Sequence, residues 1–223
     1  MKRYIAVLLP LFIYNGMFLS ENQKNVKENE IISETIMVTN SEILETTVKG
    51  VYYTSKDLFT ELNDLGKKIT GEDLEIQKEE SKVFTINIEQ NSVLIELKGV
   101  VLEDKSEVSV KLTALNNKRS LDYLEKYLHY YTKNKETEPK YYKYLKGKLN
   151  NNKVEVNNER VKTALKAIGF KAVDTIPITS GITGYASFRK NISKDKINLN
   201  YSICSYKTGT YIFIGTPIID EIY

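Results

Sequence analysis

His129 and Cys204 are the only histidine and the only cysteine among 223 residues. Neither has a partner at a spacing that would make chemistry. A metal site would need more His or Cys near His129, and there are none. Cys204 has nothing to pair with in an intrachain disulfide, and no His or basic cluster flanks it to favour the thiolate. The acidic pairs Glu72-Asp73 and Glu79-Glu80 stand in predicted loops without a base or nucleophile beside them. Ser180-Gly181-Ile182-Thr183-Gly184 looks superficially like a phosphate loop. It lacks the strand-to-helix setting and the following Lys-Ser/Thr, so it reads as a flexible turn. No catalytic residue, metal or cofactor is expected, and the chain is read as a non-enzyme, with a hydrolase of unknown type as an alternative.

The stretch with most chemical content is His129–Lys148. From Lys133 to Lys148 there are six Lys against Glu136 and Glu138, and Tyr130, Tyr131, Tyr141, Tyr142 and Tyr144 interleave with them. Aromatic faces alternating with ammonium groups can meet a polyanion. Lys140, Tyr141, Tyr142, Lys143, Lys146 and Lys148 are therefore the candidate polyanion or partner surface. The plainer reading is a basic loop leading into a tyrosine-rich strand with snorkelling lysines, because little Arg is present to grip phosphate bidentately.

The elements that must position these residues follow from periodicity. Residues 42–54 favour a strand. Ser55 is placed to cap a helix whose Leu58, Leu62, Leu65 and Ile69 make one apolar face, and Gly71 follows its last turn. Residues 82–115 alternate as three strands with short turns, which forces an antiparallel meander. Ser120 caps a second helix carrying Leu121, Leu124, Leu128 and Tyr131 on one face. Lys153–Val156 reads as a short β-like piece. Asn157 or Asn158 is expected to cap a third helix that ends at Gly169. Residues 170–178 and 185–188 read as strands. Cys204 falls on the Asn198/Asn200 side of the strand Ile197–Tyr206.

Two α+β subdomains are expected, 40–115 and 116–223, each an antiparallel sheet covered by helices on one face. Residues 21–39 precede them as a spacer or a loosely held helix.

The chain closes with a hairpin: strand Ile197–Tyr206, the turn Lys207-Thr208-Gly209, strand Thr210–Ile214, then Gly215-Thr216-Pro217. Pro217 removes a ladder donor, so this last strand should lie at an edge, bend or end near Gly215. Asn198-Leu199-Asn200, the Gly-containing turn, Gly215-Thr216-Pro217-Ile218-Ile219 and Glu221-x-Tyr223 together resemble the C-terminal signature of the YwmB-like family, and Gly184-Tyr185-Ala186-Ser187 fits its preceding strand. The resemblance covers roughly the last 40 residues. It implies a TATA-box-binding-protein-like fold, export from a spore-forming Gram-positive bacterium and a sporulation link. It assigns no role to Asn198, Asn200, Gly215, Thr216, Pro217 or Tyr223.

Residues 1–20 carry Lys2 and Arg3 ahead of an apolar run, Ile5–Leu19, the form of an export signal. The segment is either cleaved or retained as an N-terminal anchor. The formal charge is +3 and falls to +1 without Lys2 and Arg3, not the strongly basic balance of a nucleic-acid binder. The expected function is therefore an exported interaction module of the cell envelope, meeting a protein or an anionic wall polymer. A nucleic-acid binder with a TATA-box-binding-protein-like fold is the second alternative.

Overall fold

Strand pairing, rather than the local pattern, decides this architecture. In a computed structural model, residues 27–72, 82–189 and 196–219 are described. Among these residues four helices, α1 (Glu28–Met37), α2 (Leu58–Thr70), α3 (Leu121–Thr132) and α4 (Val154–Ile168), accompany nine strands. The strands are β1 (Ser41–Thr54), β2 (Val83–Gln90), β3 (Val93–Val101), β4 (Ser106–Leu115), β5 (Lys140–Leu149), β6 (Val173–Ile178), β7 (Gly181–Arg189), β8 (Lys196–Tyr206) and β9 (Gly209–Thr216). All nine form one antiparallel sheet in the order β2-β3-β4-β1-β5-β9-β8-β7-β6.

The expected α+β class and antiparallel pairing are present, but the sheet is single. It is continuous because β1 pairs with β4 on one side and β5 on the other. Each meander folds back onto the strand that precedes it: β4 onto β1, and β9 onto β5.

Directly opposed residues in an antiparallel ladder share a face. One face therefore carries Val48, Tyr52, Leu97, Val110, Leu112, Leu145, Leu199, Tyr201, Ile203, Ile212 and Ile214, all buried in one core with the apolar stripes of the four helices. α2 packs on β3, α3 on β1, and α4 on β7 and β8. α1 sits over β5 and β9 and against α4. Its Ile31, Ile32 and Ile36 are fully buried, each burial contributing about 2 kcal/mol. The segment read as a spacer or loose helix thus contains an integral part of the core.

Several local expectations are corrected. Ser55 does not cap α2. Asp57 does, its carboxylate accepting from the Thr60 N–H at 3.0 Å, while Ser55 donates both its N–H and its hydroxyl to Glu136. Lys153–Val156 is not a strand, since α4 begins at Val154. Asn157 and Asn158 lie inside α4 and are buried. There Asn157 Nδ2 donates to the Lys153 carbonyl and to Asn151 Oδ1, both at 2.9 Å, and Asn158 Oδ1 accepts from the Tyr201 hydroxyl at 2.7 Å. Residues 181–184 are not a flexible turn but the start of β7. A Cβ at Gly181 would lie 1.9 Å from the Ile203 carbonyl oxygen, so glycine there permits strand pairing. β9 is not an edge strand, because it lies between β5 and β8. It does end near Gly215, the other expected outcome: its ladder closes at Thr216, so Pro217 falls beyond it and takes nothing from it.

Candidate interaction surfaces

Sheet register distributes the six Tyr/Lys residues over both faces of the central strand β5. Lys140, Tyr142, Lys146 and Lys148 point away from the helices; Tyr141 and Lys143 point toward them. The two groups meet different chemistry. Lys143 is buried beneath α1 and α3, where its ammonium donates to Glu125 at 2.7 Å and pairs with Glu28 at 3.2 Å. The Tyr141 hydroxyl sits 3.2 Å from His129 Nδ1 and 3.0 Å from Thr132 Oγ1. Sequence reasoning left His129 without a partner; its neighbour is a tyrosine from the next strand.

On the far face, Lys146 pairs with Glu45 at 2.6 Å and lies over the Phe213 ring, and Lys148 lies over Tyr211. Tyr144 is buried with Phe213 and Ile219 in a small second core. Lys140 and Lys148 remain exposed and Tyr142 is half-buried. Carboxylates from other elements thus neutralise Lys143 and Lys146 but not Lys140 or Lys148.

The C-terminal motif builds that second core. Gly215 packs so closely that a Cβ would sit 2.5 Å from the Lys143 carbonyl oxygen and 2.8 Å from Tyr144 Cβ. The chain turns through a cis Thr216–Pro217 bond. Asn200 Nδ2 donates to the Pro217 carbonyl, and Asn198 Oδ1 accepts from the Tyr185 hydroxyl at 2.9 Å. Thr216 is buried. Gly215, Thr216, Pro217 and Asn200 thus lie where the chain folds back across the far face and seats Ile219 on Tyr144 and Phe213, whereas Asn198 ties β8 to β7. Tyr223 lies outside the described residues, as do Glu79, Glu80, Asp73 and the segment 1–20.

Beside this core, the far face of β1–β4 forms a hollow of 590 Å³. Leu94 and Leu115, 42% and 41% exposed, and Thr113 contribute to its lining, with Glu45, Glu89 and Glu96 around them and Lys111 opposite Glu96. Its carboxylates outnumber its ammonium groups, and periodicity could not reveal it, because it needs four strands in register.

The helix side carries two further polar assemblies. Tyr52 is fully buried, and its hydroxyl donates to Glu61 at 2.6 Å. Lys135 donates to the same Glu61 oxygen, Oε1, at 2.7 Å, and Lys56 lies 3.9 Å from Oε2. Burial alone would raise the Glu61 carboxyl; the hydrogen bonds of Lys135 and Tyr52 and the nearby ammonium charges outweigh it and hold the carboxyl below its ordinary range. Burial, then the Glu61 hydrogen bond and charge, push the Tyr52 hydroxyl up.

At the C-terminal end of α3, Lys68 Nζ donates to the carbonyls of Tyr130 and Tyr131 at 2.8 and 3.3 Å. Both Lys68 and Lys133 lie over the Tyr130 ring, 4.9 and 5.0 Å from its centre. The free carbonyls of a helix C-terminus attract such cations.

Cys204 is buried on the far face, its sulfur 3.1 Å from Ser202 Oγ. Among the described residues no cluster of three or more His, Cys, Asp or Glu is arranged to hold a metal ion. No protein-family model matches this chain, and no curated protein is similar to it in sequence.

Proposed function

We propose that this chain is an exported, non-catalytic interaction module of the cell envelope, and that the helix-free face of β1–β4 receives its partner. The hollow floored by Leu94 and Leu115 carries this reading. Exposed leucines set among carboxylates suit a protein partner that presents an apolar side chain flanked by lysine or arginine. The nucleic-acid alternative fares worse on the same face, since Glu89 and Glu96 would confront phosphate and Lys146 is already held by Glu45. A hydrolase would need a nucleophile with a base, or free paired carboxylates in a cleft. Lys143, Glu28 and Glu125 are instead engaged with one another.

A TATA-box-binding-protein-like arrangement and membership of the YwmB-like family belong to the same proposal. In support, each half of the chain has a leading strand, a helix and a meander that returns to that strand, and the halves join through the two leading strands. Export rests on residues 1–20.

Fractionation of the native protein with sequencing of its N-terminus tests export. Recovery from the envelope or medium is expected; recovery from the cytosol with Met1 intact would overturn it. Photo-crosslinking from position 94 in intact cells tests the surface. Envelope-protein adducts are expected, and Leu115→Arg should remove them; adducts that persist in that variant would place the partner elsewhere.

A further inference from the structure

We infer that Lys68, Tyr130 and Lys133 form an anion site for the phosphate groups of a polyol-phosphate polymer. Of the four β5 lysines, two are paired, Lys143 with Glu28 and Glu125 and Lys146 with Glu45, and Lys140 and Lys148 stand apart on the far face. Lys68 and Lys133 differ. Neither makes a salt bridge among the described residues, yet α2 and the end of α3 bring both onto one tyrosine ring. Tyr130 is 52% exposed, so the site is open to solvent.

Lys68 is also fixed in place. Two of its three N–H groups are used on the Tyr130 and Tyr131 carbonyls, which leaves one directed donor. Burial, followed by the charges of Lys135 and Lys133, holds the Lys68 pKa below that of an ordinary lysine. Among the described residues, positive charge is thus gathered without a full counter-charge. Lys135 is answered by Glu61, whereas Lys68 and Lys133 meet no carboxylate among the described residues. A phosphate oxyanion placed against both ammonium groups would supply that charge.

The surrounding aromatics favour a polyol chain over a nucleic acid. Base recognition needs bare ring faces. Here Tyr123 and Tyr127 stack on each other, Tyr127 meets Tyr131 edge-on, and two cations already lie over Tyr130. Phosphate can be held, but no platform remains for a base.

This inference rests on the reading of the chain as an envelope binding module, but it uses the helix side of the sheet and none of the hollow. The test is calorimetric titration of the full chain with synthetic oligo(glycerol phosphate) at two salt concentrations. Salt-sensitive binding is expected, weakened at least tenfold in Lys68→Gln/Lys133→Gln and less than twofold in Lys140→Gln/Lys148→Gln. Lys133→Gln alone, at an exposed position, should weaken binding at least threefold with an unchanged melting temperature, which covers the case in which Lys68→Gln disturbs the α3 end. Absence of wild-type binding, or equal binding by the Lys68/Lys133 variants, overturns the site. Tighter binding to oligo(dT), or binding confined to phosphatidylglycerol vesicles, overturns the polymer class. Loss of the position-94 crosslinks with polymer binding intact would sink the hollow and leave this site standing, and the reverse outcome separates them equally well.

Discussion

The two halves of the sheet each bury a tyrosine whose hydroxyl reaches up to a helix, but they answer it differently. In the first half Tyr52 of β1 meets the Glu61 carboxylate of α2, itself clamped by Lys135. In the second half Tyr201 of β8 donates to the neutral amide oxygen of Asn158 on α4 at 2.7 Å. Both rings are essentially inaccessible. A charged group in that position must be compensated, and the first half recruits the α3–β5 connection to do it. Glu136 and Thr137 pin the same connection to the end of β1. The neutral pair in the second half needs no such strap. The contrast shows how one buried ion can dictate the path of a loop.

Removing the charge should have the largest effect. Glu61→Leu leaves the Tyr52 hydroxyl and Lys135 without their acceptor and should cost about 3 kcal/mol in urea unfolding. A loss no greater than that of Tyr201→Phe would remove the distinction between the halves.

Glycines sharpen it next. A Cβ at Gly184 would fall 2.3 Å from the rigid Tyr201 ring, whereas one at Gly99 would meet the flexible end of Leu58 at 2.5 Å. Gly184→Ala should cost about 2–3 kcal/mol and Gly99→Ala about 1 kcal/mol; the reverse order would show that the second half repacks more easily.

Tyr201→Phe should cost about 1 kcal/mol, the value of one buried hydrogen bond between neutral groups. The smallest signal is in the acid limb. Glu61 has a folded pKa below its unfolded value, so its contribution is complete above the ordinary carboxylate pKa of about 4.3. It is lost as pH falls through the lower folded value. Stability measured from pH 6 to 3 should therefore fall more steeply in wild type than in Glu61→Gln, while Tyr201→Phe should parallel wild type.

What the sequence revealed was local. The helices at 58–70 and 121–132 and the 83–115 meander follow from short periods and short turns, and Gly71 and Gly169 end their helices in the left-handed conformation. The start of α4 was hidden because Lys-Val-Glu-Val alternates like a strand; buried amides inside the helix override that propensity. The union of the two sheets was hidden because β1 and β5 are joined only after a long excursion. The surfaces were hidden for the same reason. Nothing near Lys146 announces Glu45, and nothing near Tyr130 announces Lys68.

β1 is the first strand of the described chain and the fourth of nine across the sheet. In a polypeptide made and moved from its N-terminus, Ser41–Thr54 emerges early with both ladders empty. One is filled when β4 arrives, the other only when β5 has cleared. At about 5–20 residues per second, that second wait is on the order of ten seconds. For that interval a long, β-branched strand presents an open edge to every other nascent chain nearby, and its protection is a matter of timing before it is a matter of structure.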